Sequence, residues 1–184
     1  FDADKIKGDK VIVDTVKDKT KFITLEEKEI SLSEKDLMIC NTEKPMCIAG
    51  VFGGIESGIT EKTKNVFLES AYFNPVWIRK TAKRHGLSTD ASFRFERGAD
   101  PNITVYALKR AVMLMKEIAG GEISSEIIDK YPKPIKNKTV ELQFSELDTL
   151  VGNTIDRDLI KNILNSLDIK IIAEKEIGLL LEVP

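Results

Sequence analysis

The hydrophobic period of the chain changes once, near residue 73, and this change restricts the fold more than any other feature. Before it, short apolar runs at strand spacing are divided by polar turns rich in Lys and Asp. The runs are Val11-Ile12-Val13, Phe22-Ile23-Thr24-Leu25, Glu29-Ile30-Ser31-Leu32, Leu37-Met38-Ile39-Cys40 and Met46-Cys47-Ile48-Ala49-Gly50. Asn65–Phe73 reads as a further strand, with Val66, Leu68 and Ser70 on one side and Phe67, Glu69 and Ala71 on the other. After residue 73 the pattern turns helical. Asn74-Pro75 supplies an N-cap and a proline at the first helical position, and Gly86 suits the stop. Asp100-Pro101 opens a longer helix that ends at Gly120-Gly121. Val105, Leu108, Val112 and Met115 form one stripe of it, with Ala111, Leu114 and Ile118 beside them, so the pattern predicts a half-buried helix.

Two prolines among lysines at 130–139 read as a linker. Beyond it the pattern gives a strand at Val140–Phe144 and a short helix at Ser145–Val151, with Ser145 and Asp148 at capping-box spacing. A helix at Asp156–Leu167 and two short strands complete it. The implied fold class is α+β: a mixed or antiparallel sheet packed with helices over residues 1–130, a linker at 131–139, and a small α+β unit at 140–184. A unit of roughly 45 residues buries little surface alone, so truncation is expected there.

Hydrophobic residues make up 42% and charged residues 32%, a balance that excludes disordered and membrane-embedded classes. The longest apolar runs, Met46–Ile55 and Ile177–Leu181, are too short to span a bilayer. The start, Phe1-Asp2-Ala3-Asp4-Lys5, has no initiator Met and no signal-peptide pattern, so a start within a longer cytoplasmic protein is expected. The net charge of −2 gives no general pull toward nucleic acid, and any RNA contact must come from a local patch. Cys40 and Cys47 lie in apolar stretches without a neighbouring His, which predicts two buried thiols rather than a disulfide or metal site.

Chemistry concentrates between Gly50 and Asp100. Gly50–Gly58 is glycine-rich but matches neither a P-loop nor a dinucleotide fingerprint. It is either a turn or a place where Gly53-Gly54 lets a ligand lie against backbone. Glu69 is either paired with a lysine at an edge or held in a pocket to accept a hydrogen bond. His85, the only histidine, has no triad or metal partner at a recognisable spacing and reads as a helix C-terminal residue. Arg79, Lys80, Lys83 and Arg84 form one basic face, either solvated or set to meet RNA phosphate.

Three segments together resemble one family: Ile48–Gly54 through Gly58, Asn65–Phe73, and the run Arg84-His85-Gly86-Leu87-Ser88-Thr89-Asp90-Ala91-Ser92-Phe93-Arg94-Phe95-Glu96-Arg97-Gly98-Ala99-Asp100-Pro101. They look like the beta subunit of bacterial phenylalanyl-tRNA synthetase. The part after the linker resembles the first portion of that subunit's next small domain, which has a DNA-binding-like fold. The resemblance implies an editing role, in which tyrosine wrongly esterified to tRNA(Phe) is hydrolysed. An apolar pocket shaped for phenylalanine rejects an added hydroxyl only ~10²-fold. A second site built around that hydroxyl penalises phenylalanine instead, by ~1–3 kcal/mol for an unpaired buried group.

By the same resemblance, Glu69 reads the tyrosine hydroxyl, Thr89 and Ala91 line the pocket, and Gly53 keeps its backbone wall small, which favours the ligand-site reading of Gly53-Gly54. Thr89 is also the candidate catalytic residue, although such ester hydrolysis needs a positioned water more than a strong nucleophile. The complete enzyme would use ATP and Mg2+, with neither they nor any metal bound by this chain. It would pair two alpha with two beta subunits. Two departures from the family pattern stand out. The histidine of a Gly-Gln-Pro-x-His-Ala-Phe-Asp motif belongs just before Phe1-Asp2, and a hairpin usually written Leu-Asp-Gly reads Leu25-Glu26-Glu27. The alternative reading is a structural or RNA-docking module without its own activity.

Overall fold

Alternating burial builds the first hairpin. In β2 (Lys21–Ile23) and β3 (Glu29–Ser31) the central residues Phe22 and Ile30 face each other across the ladder, and both are buried. The turn between them has no glycine at its left-handed position. Glu27 adopts a left-handed backbone with φ 61°, and its N–H donates to the Thr24 carbonyl at 2.9 Å. A second, four-stranded antiparallel sheet has the order β1-β4-β5-β6, with β1 at Ile12–Thr15, β4 at Leu37–Cys40, β5 at Pro45–Ile48 and β6 at Phe52–Gly53. In β4, Met38 and Ile39 are both buried although they point to opposite faces, so this strand is covered on both sides.

The computed structural model describes residues 1–184. They divide into two units, Phe1–Ile128 and Asp129–Pro184. The core of the first gathers Phe22, Leu32, Met38, Ile39, Ile48 and Val51 with Ile78, Ala82 and Leu87. The last three come from or follow helix α1 (Pro75–His85), which Asn74 caps through the N–H groups of Val76 and Trp77. A buried aspartate pins this helix to the sheet side. Asp36 is 0% exposed; one carboxyl oxygen takes the Arg84 guanidinium, and the other meets His85 Nε2 at 2.6 Å and the Ser33 N–H at 2.8 Å. His85 is thus a packed partner of Asp36 as well as a helix C-terminal residue.

Asn65–Phe73 departs from the expected strand. Only its beginning is paired, with Phe1–Ala3: Val66 bridges Asp2, and Phe1 and Phe67 exchange two 3.0 Å bonds. Leu68–Phe73 makes no ladder pairing. A short helix not anticipated from the periodicity, α2 (Asp90–Phe95), follows α1. Its sequence signal is a capping box between Thr89 and Ser92.

The long helix α3 runs Thr104–Ala119, after a tight 3-10 turn at Pro101–Ile103 that Asp100 caps. Contrary to expectation, none of its residues is buried. Val105, Leu108 and Val112 are partly covered, while Tyr106, Met113 and Ile118 are exposed. Its contacts within the unit fall mainly on the preceding turn, so the apolar face has no layer over it. No helix is long and apolar enough to cross a membrane.

The second unit is a three-stranded antiparallel sheet of order β7-β9-β8 carrying two helices. Its strands are β7 (Lys138–Gln143), β8 (Lys170–Lys175) and β9 (Gly178–Val183), so β7 begins inside the expected linker. Leu179, Leu181 and Ile160 form its core. Helix α4 covers Phe144–Val151 and α5 covers Arg157–Ser166, with Asp156 capping the latter. The expected capping box at Ser145 does not form. Asp148 instead holds Arg157 with two bonds of 3.1 and 2.8 Å and accepts from the Ile155 N–H, which pulls its carboxyl below the usual aspartate range.

Replacing Glu27 with Gly is expected to stabilise the first unit by about 0.5–1 kcal/mol, the left-handed penalty less the chain entropy of glycine. A rise in the denaturation midpoint checks this. Asp36→Ala, which leaves Arg84, His85 and the Ser33 amide without their shared acceptor, is expected to cost roughly 3 kcal/mol in the same measurement.

Candidate functional site

The site grows from the β5–β6 ladder, in which Cys47 pairs with Gly53. Met46 and Ile48 point into the core, so strand alternation turns Cys47 to the other face. The sequence reading had both cysteines buried; each keeps partial exposure and neither forms a disulfide. Across from this ladder runs the unpaired stretch Glu69-Ser70-Ala71. Helix α2 closes the third side with Ala91 and Phe95, which share a face at i, i+4 spacing. These walls bound an open cavity of about 360 Å3, lined by Cys47, Gly53, Glu69, Ala71, Ala91 and Phe95 among others. Phe95 stacks obliquely on Phe73, with ring centroids 5.2 Å apart, giving the cavity an apolar aromatic side.

Glu69 is the only ionised group in this lining. As a whole residue it stays exposed at the cavity mouth. Its carboxyl group is nevertheless enclosed enough that desolvation pushes its pKa above the ordinary glutamate value. No lysine or arginine pairs with it, as the full set of ion pairs makes plain. Nearby, burial and then the Glu69 charge push the Cys47 thiol up to about 12, so it stays protonated at neutral pH.

The two glycines singled out from sequence part company. Gly53 lines the cavity, and a Cβ there would come within 2.8 Å of Leu25 Cδ1. Gly54 lies against the core instead. A Cβ on it would meet the Met46 carbonyl at 2.7 Å and the Phe22 ring at 2.8 Å. Its small size therefore serves the β2–β5 packing.

Thr89 is not among the cavity-lining residues. Its hydroxyl accepts from the Ser92 N–H at 3.0 Å and donates to the Val51 carbonyl at 2.8 Å. That pair of bonds starts α2 and ties it to the β5–β6 turn, which brings Ala91 over the cavity. The hydroxyl has given its proton to a backbone acceptor, an arrangement suited to positioning rather than nucleophilic attack. On α1, Arg79, Lys80 and Lys83 are exposed and unpaired, whereas Arg84 turns to Asp36. No group of three or more His, Cys, Asp or Glu gathers in a way that could hold a metal ion.

Sequence reasoning missed Cys47 and Phe95 as wall residues. Strict alternation along Met46-Cys47-Ile48 would have placed the first, and the capping box ahead of α2 would have placed the second.

Residues 1–120 match the B3/4 domain family. Over 184 residues, all of this chain, it is 59% identical to the phenylalanine–tRNA ligase beta subunit of Bacteroides fragilis (strain YCH46), and covers 22% of that protein. The corresponding subunit of Bacteroides thetaiotaomicron is 57% identical over the same span and share. That of Geobacter metallireducens is 43% identical over 178 residues, 96% of this chain and 22% of the relative. The chain thus spans about a fifth of the length of the curated relatives it matches. It belongs to the B3/4 domain family and is similar, along its whole length, to one part of phenylalanine–tRNA ligase beta subunits.

Proposed function

We propose that the cavity binds the side chain of tyrosine esterified to tRNA(Phe), and that within the complete synthetase it serves hydrolysis of that ester. The observation that carries this reading is an unpaired, partly desolvated carboxylate in an otherwise apolar, aromatic-lined cavity. A phenol hydroxyl donates to such an acceptor; phenylalanine, lacking it, leaves the carboxylate unpaired. Gly53 keeps the wall beside Cys47 flat, and Ala91 keeps the α2 side shallow.

The exposed Arg79, Lys80 and Lys83 are the tRNA phosphate contacts in this proposal, with Arg84 withdrawn to its structural partner. The relatives' beta-subunit name supports an alpha-subunit partner; a two-alpha, two-beta cytoplasmic enzyme that uses ATP and Mg2+ elsewhere in the assembly is part of the same proposal. Residues 140–184 begin its DNA-binding-like domain. The alternative, an RNA-docking module with a vestigial cavity, draws on the same three free cations.

Deacylation of tyrosyl-tRNA(Phe) by the complete enzyme tests the reading. Glu69→Ala is expected to slow it roughly 10–100-fold, the worth of a hydrogen bond to a charged group. Gly53→Trp, which fills the cavity, is expected to abolish it. Wild-type rates in both variants would refute the assignment and leave the docking module. Folding also raises the Glu69 pKa, so its stability contribution is present below the unfolded value and lost as pH rises through the folded one. Glu69→Gln is therefore expected to raise the denaturation midpoint at neutral pH while slowing tyrosine release.

A further inference from the structure

We infer that Ser70 is a positioning residue for Glu69: its hydroxyl ties the segment that carries the carboxylate to the first residue of α3 and so fixes two sides of the cavity against each other. The inference rests on the tyrosine-reading role proposed above. Ser70 follows Glu69 directly in the chain, and its Oγ donates to the Thr104 carbonyl at 2.9 Å. Both residues are partly buried, which shields the bond from competing water. A carbonyl oxygen has two lone pairs, so Thr104 accepts this proton and still serves its own helix.

The acceptor stands at a well-braced point. The Asp100 carboxylate accepts from the Asn102 N–H at 2.8 Å, and the Ile103 N–H donates to the Asp100 carbonyl at 3.3 Å. The Thr104 hydroxyl donates to the Pro101 carbonyl at 3.4 Å. These bonds hold the turn from which the chain enters α3. That turn follows α2, which carries Ala91 and Phe95 on another side of the cavity. The Ser70 bond therefore joins residues 34 apart in sequence and links the Glu69 side to the segment continuing from the α2 side. At the far end of the Glu69 segment, buried Phe73 packs on Phe95, so the two sides meet there as well. Reading a single ligand hydroxyl requires its acceptor to be held within about 0.5 Å of the productive place, and hydrogen bonds made by supporting residues supply that precision. Alanine at position 70 would keep the backbone and remove only the tie.

The test measures deacylation of tyrosyl- and phenylalanyl-tRNA(Phe) by the complete enzyme carrying Ser70→Ala or Ser70→Thr, each alone and with Glu69→Ala. Ser70→Ala is expected to lower the tyrosine-over-phenylalanine preference roughly three- to tenfold, the size of one neutral hydrogen bond. Ser70→Thr, which keeps the hydroxyl, should retain the wild-type preference. With Glu69→Ala present, the two Ser70 variants should become indistinguishable in preference, because the group they position is gone. A Ser70→Ala enzyme as selective as wild type, whether or not it is slower on both esters, with Glu69→Ala still deleterious, would overturn the positioning role and spare the cavity reading. A Thr variant no better than Ala, or a preference change that persists without Glu69, would also overturn it. If Glu69→Ala by itself changes nothing, the cavity reading fails and this inference fails with it.

Discussion

Asp36 receives an arginine, a histidine and a backbone N–H while fully buried, and the geometry of the site descends from that clasp. It lies in the turn between β3 and β4, and its partners Arg84 and His85 occupy the last turn of α1. With the helix end fixed, Gly86 can reverse the chain in a left-handed conformation and Leu87 can enter the core. The chain then reaches Thr89, whose hydroxyl caps α2 and bonds back to Val51. Two polar anchors, one at each end of a short connection, thus hold α2 over the β5–β6 turn. A cavity needs such a support if its wall is a helix of six residues, because so short a helix has little stability of its own.

Inside that frame the chemistry depends on what is left unpaired. Proteins seldom leave a partly desolvated carboxylate without a donor, since the group costs stability until something binds it. Glu69 carries that cost, visible in its raised pKa. The cost converts into selectivity when the ligand brings a hydroxyl, because only that ligand relieves it. The small residues Gly53, Ala71 and Ala91 line the cleft with it and bring no side-chain donor.

Much of this was legible in the sequence, for identifiable reasons. β4 and α1 follow from an apolar run and from an N-cap with proline, signals that act within a few residues. Glu69 was conspicuous as a carboxylate beside Phe67 and Ala71. What eluded the reading depends on contacts far apart in sequence. Asn65–Phe73 has strand periodicity, yet only Asn65–Phe67 is paired, with the distant segment Phe1–Ala3. The stripe on α3 predicted burial, but periodicity does not say whether another layer covers it. Gly53 and Gly54 are adjacent and looked equivalent, whereas one faces a cavity and the other the Phe22 ring. Thr89 matched a pocket position by resemblance, and its hydroxyl turned out to serve the helix cap. The role of Asp36 had no local signal, since its partners lie 48 and 49 residues away.

If the Glu69 carboxylate waits for a hydroxyl, the pKa of that one group reports it. The titration would be followed by carbon-13 NMR of the Glu69 carboxyl, with non-hydrolysable tyrosyl- and phenylalanyl-adenosine analogues added in turn. The free protein should titrate above the ordinary glutamate value of 4.5. The tyrosyl analogue should lower the pKa, because its hydroxyl stabilises the charged form, and the phenylalanyl analogue should raise it by further desolvation. Movement in the same direction with both analogues, or no movement with either, would contradict the account.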